Sequence, residues 1–161
     1  MKIDLEKFDE ALSKLPDEPY KTVLYGENEK WLSEVGAPKE LVDFFNKYSF
    51  SSFIKFNNVT FNSPNEIVRE NIEEQNQKIY EKGLLIIGCG LNGDPIVINL
   101  NNGNIGFVSH DSLWEHEEGI DLKEIYKELN ESLGSFFYKS MTLKEFPVDY
   151  YEACDFNDRN A

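Results

Sequence analysis

Cysteine, histidine and basic residues are scarce in this 161-residue chain, and each scarcity closes off a class of function. The two cysteines, Cys89 and Cys154, lie 65 positions apart, one inside an apolar pattern and one in a polar stretch, so no disulfide is implied. A domain of this length needs neither a disulfide nor a metal to fold. The two histidines, His110 and His116, stand at an interval that fits neither usual helical spacing for metal ligands. Sixteen basic against thirty acidic residues give a net charge of −14, which repels a phosphate backbone and argues against direct nucleic-acid contact. No run reaches the roughly 18 apolar residues of a membrane span. The start, Met1-Lys2-Ile3-Asp4-Leu5-Glu6, alternates charged and apolar residues instead of forming a signal-peptide core. The expectation is a cytoplasmic protein with no membrane partner.

Aromatic side chains are abundant. Twelve Phe, eight Tyr and two Trp make up 14% of the chain. Such rings bury large areas, and a domain of this size can remove roughly 70% of its unfolded surface from water. One domain over residues 1–161 is expected, since no repeat, low-complexity tract or linker divides the chain.

Leu5, Phe8, Leu12 and Leu15 recur at three- and four-residue spacing, which predicts a first helix within residues 1–16 that ends before Pro16. A second helix is expected from Glu29 to Val35 with Gly36 as its left-handed terminator. A third should open with Pro38 at its first position and turn Leu41, Val42, Phe44, Phe45 and Tyr48 inward. A hairpin about Asn57-Asn58 would pair Phe56 with Val59 and Ile54 with Phe61, leaving Lys55 and Thr60 on the other face. Ser63-Pro64-Asn65-Glu66 has the form of a capping box, and the helix it opens should carry Val68, Ile72 and Ile79 inward.

Leu84-Leu85-Ile86-Ile87, bounded by glycines, is the pattern of a central strand covered on both faces. Asn102-Gly103 then predicts a two-residue hairpin pairing Leu100 with Ile105 and Ile98 with Phe107, with Asn99 opposite Gly106. Asp121 and Glu124 form a cap pair, with Ile120 placed to staple against Ile125. Leu122, Ile125, Tyr126, Leu129 and Leu133 give the following helix a core-facing stripe. Periodicity fades after Met141, and from about residue 155 the chain reads as a weakly ordered, solvated tail.

Gly88-Cys89-Gly90-Leu91-Asn92-Gly93 has the spacing of a dinucleotide-binding loop. That chemistry requires a helix to open at the last glycine, and Asp94-Pro95-Ile96-Val97-Ile98 is a strand pattern instead. The segment reads as a turn. Cys89, among glycines and apolar residues, reads as an inert core thiol, and the acids and histidines from His110 to Glu118 read as a solvated loop. No catalytic residue, metal or cofactor is expected. Charge distribution carries more. From Gly83 to Trp114 the only charged side chains are Asp94 and Asp111, whereas from Asp111 to Ala161 thirteen acids face five bases. An acidic surface favours fast, salt-sensitive encounter with a basic partner. The candidate partner-binding residues are therefore Asp94, Asp111, Trp114, Glu115, Glu117, Glu118 and Asp121, with Trp114 either an anchor at that surface or a core residue closing the sheet.

Glu34-Val35-Gly36-Ala37-Pro38-Lys39-Glu40-Leu41-Val42-Asp43-Phe44-Phe45-Asn46-Lys47-Tyr48, together with Gly90-Leu91-Asn92-Gly93-Asp94-Pro95-Ile96-Val97-Ile98-Asn99-Leu100 and its Asn-Gly hairpin, resembles the SUKH superfamily. That group includes bacterial immunity proteins of polymorphic toxin systems and fungal regulators of cell-wall synthesis. The resemblance spans roughly residues 28–135, and the chain departs from the family pattern at Tyr48-Ser49-Phe50-Ser51. It implies an α+β fold, a single domain with a central mostly antiparallel β-sheet and helices packed around it, and a non-enzymatic role. It also implies the partner: a cognate protein toxin, often a basic nuclease domain, which the chain binds and neutralises. The alternative is an intracellular regulatory or scaffold module like the fungal branch.

Overall fold

The computed structural model describes residues 1–115, 119 and 121–160, with Trp114 given by its backbone alone. The spacing of Leu5, Phe8 and Leu12 produces helix α1 over Leu5–Ser13. Helix α2 covers Gly26–Glu34, opening three residues earlier than expected, and Gly36 follows it in the left-handed region at φ 88°. Helix α3 covers Lys39–Lys47, with Pro38 as the cap and not the first helical residue. All five apolar residues expected to face inward from it are buried. Two of them, Phe44 and Tyr48, meet Phe8, whose ring centroid lies 4.9 Å from Phe44, 4.8 Å from Tyr48, 5.6 Å from Phe61 and 6.0 Å from Phe137. Edge-on ring pairs of this kind add to the transfer energy of the buried area. At the rim of this aromatic knot the Tyr48 hydroxyl donates to Asp9.

Strands β1 (Ile54–Phe56) and β2 (Val59–Phe61) form the expected hairpin in the expected register, Ile54 opposite Phe61 and Phe56 opposite Val59, with Asn57 at φ 56°. The next helical segment is two helices, α4 (Pro64–Ile72) and α5 (Glu74–Tyr80), separated by extended Glu73. Ser63 stands at the start of α4, but its hydroxyl donates to the Phe50 carbonyl at 2.7 Å and does not cap the helix. Val68 and Ile79 are buried, while Ile72, at the end of α4, is half exposed because the helix stops there. The inward position belongs to Asn71, which is fully buried.

Asn71 answers a backbone problem. Strand β3 (Leu84–Cys89) pairs with β2 only through Gly88 and Cys89, so Ile86 lies beyond their overlap. The Asn71 carboxamide takes the place of the missing strand, donating to the Ile86 carbonyl at 2.8 Å and accepting from the Ile86 N–H at 3.0 Å. A buried peptide group left without a partner would cost about 1–3 kcal/mol.

Strands β4 (Pro95–Asn99), β5 (Ile105–Val108) and β6 (Tyr126–Glu128) complete one sheet in the order β1-β2-β3-β4-β5-β6, every neighbouring pair antiparallel. Both faces of its centre are covered, as the run Leu84–Ile87 implied. Leu85, Ile87, Ile96, Ile98, Ile105 and Phe107 join the aromatic core, and Leu84, Ile86, Val97 and Val108 face a smaller cluster with Ile79 and Ile125. The architecture is α+β, a single domain with helices packed around an antiparallel sheet. No helix among the described residues is long and apolar enough to cross a membrane.

The β4–β5 register differs from expectation by two residues. Ile98 pairs with Ile105 and Ile96 with Phe107, Val97 takes the place opposite Gly106, and Asn99 lies across from Asn104. An even slip leaves each side chain on its expected face. The cause lies outside the hairpin: the side-chain amides of Asn99, Asn102 and Asn104 all donate to the Glu128 carboxylate on β6, at 2.9, 3.0 and 2.9 Å. A two-residue turn would not present three amides to one carboxylate, whereas the longer loop does.

The single helix expected to carry the stripe from Leu122 to Leu133 is also revised. Helix α6 covers His110–Glu115, α7 is one turn over Leu122–Ile125, β6 follows, and α8 runs Leu133–Thr142. Ile125, Leu129 and Leu133 are buried as the stripe requires, but Tyr126–Glu128 completes the open edge of β5. Gly106 makes that possible, since a Cβ there would lie 2.5 Å from the Lys127 carbonyl. The Asp121 carboxylate caps α7 by accepting from Lys123 N–H at 3.0 Å, and the staple at Ile120 lies outside the described residues. The expected solvated tail is mostly helix α9 (Tyr150–Arg159), because Ala153 is buried, Phe156 stacks edge-on with Phe146, and Asn157 donates to the Glu128 carbonyl.

Burial opposes ionisation of Glu128, but the hydrogen bonds from Asn104, Asn99, Tyr126 and Asn102 outweigh it and hold the carboxyl below its ordinary value. Its charge therefore stabilises the fold above the unfolded carboxyl range, and that contribution is lost as pH falls through the lower folded value. Glu128→Gln should lower stability at pH 7 by about 1–3 kcal/mol, measured by urea unfolding, with the deficit shrinking below about pH 4.

Candidate protein-interaction surface

The sequence places one carboxylate, Asp94, at the end of a glycine turn and directly before a strand. The turn forms as expected: Gly90 N–H donates to the Asp94 carbonyl at 2.8 Å, and Gly93 adopts φ 91°. Cys89 stands half-buried at its start with its thiol donating to the Gly90 carbonyl at 3.3 Å. Among the described residues no three His, Cys, Asp or Glu side chains converge as a metal-ligand set.

Asp94 itself is 1% exposed, so it does not face a partner at the surface. It is instead the tie between three segments distant in sequence. Oδ1 accepts from the His110 backbone N–H at 3.0 Å and faces His110 Nδ1 at 2.6 Å, while Oδ2 accepts from the Tyr150 N–H at 2.9 Å. A carboxylate oxygen only accepts, so Nδ1 carries the proton in that contact. His110 opens α6 and Tyr150 opens α9, and the carboxylate receives the first N–H groups and the positive dipole ends of both. The other imidazole nitrogen, Nε2, faces Asp111 Oδ1 at 3.0 Å. The carboxylate–imidazole pair thus acts as a clamp whose second nitrogen points to another carboxylate.

The clamp determines which acids share a surface. Asp111, with its side chain 59% exposed, follows His110 directly, and Glu115 is exposed one turn further along α6. Asp121 and Glu124 are exposed on α7, which is drawn in because the Tyr150 hydroxyl donates to the Glu124 carbonyl at 2.8 Å. Burial, the nearby Cys154 and other neighbours push that phenol up to about 12. On α9, Asp149 caps the helix by accepting from Glu152 N–H at 2.8 Å, and Glu152 and Tyr151 are exposed. Lys123 is the one lysine or arginine between Ser109 and Tyr126.

Of the residues expected to meet a partner, Asp111, Glu115 and Asp121 lie exposed on these elements, and Asp94 lies beneath them. Glu117, Glu118 and the side chain of Trp114 lie outside the described residues. Glu124, Asp149, Tyr151 and Glu152 were not anticipated. Asp149-Tyr150-Tyr151-Glu152 does carry the acid-x-x-Glu form of a helix start, a signal obscured by the weak periodicity after Met141. No protein-family model matches the chain, and no curated protein matches it.

Removing Asp94 leaves His110 and Tyr150 with buried donors. Asp94→Ala should therefore lower unfolding free energy by about 3–5 kcal/mol, the range for breaking one partner of a buried charged network, measured by chemical denaturation.

Proposed function

We propose that the chain is a non-enzymatic immunity protein that binds and neutralises a cognate toxin domain, a basic one of nuclease type, through the acidic surface of α6, α7 and α9. The observation that carries this reading is the exposure of Asp111, Glu115, Asp121, Glu124 and Glu152 on elements gathered around one buried clamp, in a chain of net charge −14. Such a surface matches the cationic groove with which a nuclease holds phosphates, and occupying that groove blocks the enzyme without any chemistry. Tyr151, 59% exposed amid these acids, supplies an aromatic anchor of the kind that dominates interface energies. The resemblance of residues 34–48 and 90–100 to the SUKH superfamily supports the same role.

The test is protection. Cells producing the toxin encoded beside this gene should survive when the chain is co-produced and die when it is absent. Association of the purified pair should slow steeply with salt, and Glu115→Lys with Glu124→Lys, both at exposed positions, should slow it about 10- to 100-fold at low salt while leaving the fold intact. Continued killing in the presence of the folded chain contradicts the proposal, and co-purification with cell-wall-synthesis enzymes would favour the regulatory alternative.

A further inference from the structure

The two most exposed large apolar side chains, Tyr20 and Val23, lie away from the acidic C-terminal surface. Tyr20, Val23 and Tyr25 are 85%, 73% and 56% exposed along one extended stretch, and Phe53, just before β1, is 62% exposed. In this stretch Leu24 is buried, so the chain is pinned by one side chain while its neighbours stand out. The stretch is held at both ends. Thr22 N–H donates to the Ser49 carbonyl at 2.7 Å and Ser51 N–H to the Tyr20 carbonyl at 2.9 Å. Farther along, Asn65 at the start of α4 donates to the Val23 carbonyl and accepts from the Tyr25 N–H, each at 3.0 Å. The aromatic side chains are therefore displayed on fixed backbone, which lowers the entropy a partner would have to remove.

Phe53 joins two concavities. With Tyr20 it lines a groove of about 270 Å³ between residues 15–20 and 51–55, beside the edge strand β1. It also lines a groove of about 690 Å³ whose floor and wall include Glu66, Glu70 and Glu73, successive turns of α4 and the residue after it. Arg69 is taken up by Glu66 at 2.9 Å. Glu70 and Glu73 are left as the negative character of the groove, with Glu70 fixed by the Asn62 amide at 2.5 Å. Burial holds the Glu70 carboxyl above its usual range, the Asn62 hydrogen bond acting against it, so a cation arriving beside it recovers a desolvation cost already present.

We infer that this surface, separate from the acidic face of α6, α7 and α9, docks an extended polypeptide segment of a partner in which arginine alternates with apolar residues. The chemistry selects that occupant. Guanidinium groups stack on exposed tyrosine faces and pair with carboxylates, whereas an acidic or purely apolar segment would meet Glu70 and Glu73 unpaired. The inference does not depend on the partner being a toxin, because it follows from aromatic display and charge at the groove alone.

The experiment is a titration of the full-length, ¹⁵N-labelled chain with the acetylated and amidated pentapeptide Arg-Leu-Arg-Leu-Arg, and with Glu-Leu-Glu-Leu-Glu as control. Saturable amide shifts confined to residues 20–25, 51–55 and 62–73 are expected with the first peptide and none with the second. Phe53→Ser and Tyr20→Ser, at exposed positions, should each weaken binding about tenfold or more, and Glu73→Lys should do so while leaving every aromatic contact in place. Shifts centred on residues 109–126 and 149–155, shifts spread evenly over all acidic residues, or binding indifferent to Phe53→Ser would overturn the inference.

Discussion

A carboxylate taken out of water must be met by donors, and in this protein the donors that meet Asp94 are the first backbone N–H groups of two helices. That requirement arranges the C-terminal half. The β3–β4 turn is fixed because the carboxylate leaves from its end, α6 because His110 donates twice into it, and α9 because its first amide does. α7 then follows through the Tyr150 hydroxyl, and β6 follows α7 onto the edge of β5. The acids displayed by these elements are far apart in sequence and come together only because one buried charge needs all three segments.

The other half rests on a different constraint, the packing of rings about Phe8. α1, α3, the β1–β2 hairpin and α8 each contribute an aromatic residue to it, so no one of these elements buries its apolar face without the others. α1 lies close on α8: Gly134 donates to the Ile3 carbonyl at 2.7 Å, and a Cβ on Gly134 would lie 1.9 Å from the Asp4 carbonyl. The sheet separates this aromatic core from the smaller aliphatic cluster under α5 and α7, which is why its central strands are apolar on both sides.

Local patterns were legible in the sequence and long-range polar contacts were not. The Asn57 hairpin register, the inward face of α3 and the doubly covered β3 all follow from periodicity and turn chemistry within a dozen residues. The Asn102-Gly103 hairpin slipped because its loop answers to Glu128, more than twenty residues away, which no local rule weighs. The stripe from Leu122 to Leu133 satisfies a helical period, yet the open edge of β5 offered Tyr126–Glu128 three paired residues that a helix would have forgone. Asn71 and Asp94 look like ordinary surface residues until the backbone groups they satisfy are seen across 15, 16 and 56 positions of sequence. The acidic surface was half visible, as a charge imbalance after Asp111. The membership of Asp149, Tyr151 and Glu152 depends on the clamp, which is a tertiary fact.

In the recognition proposed above, the two exposed surfaces would divide the physics between them: dispersed carboxylates act over a Debye length and govern encounter, while fixed aromatic side chains act at contact and govern residence. The acidic surface has a defined shape only if the clamp holds, so the clamp is the claim to test first. Native-state amide hydrogen exchange of His110 and Tyr150 does so most directly. Both amides should be protected in the wild type, and in Asp94→Ala, which removes both acceptor oxygens, protection should collapse over residues 110–115 and 149–153 while residues 84–89 and 96–99 stay protected. Unchanged exchange at His110 and Tyr150 in that variant would contradict the clamp.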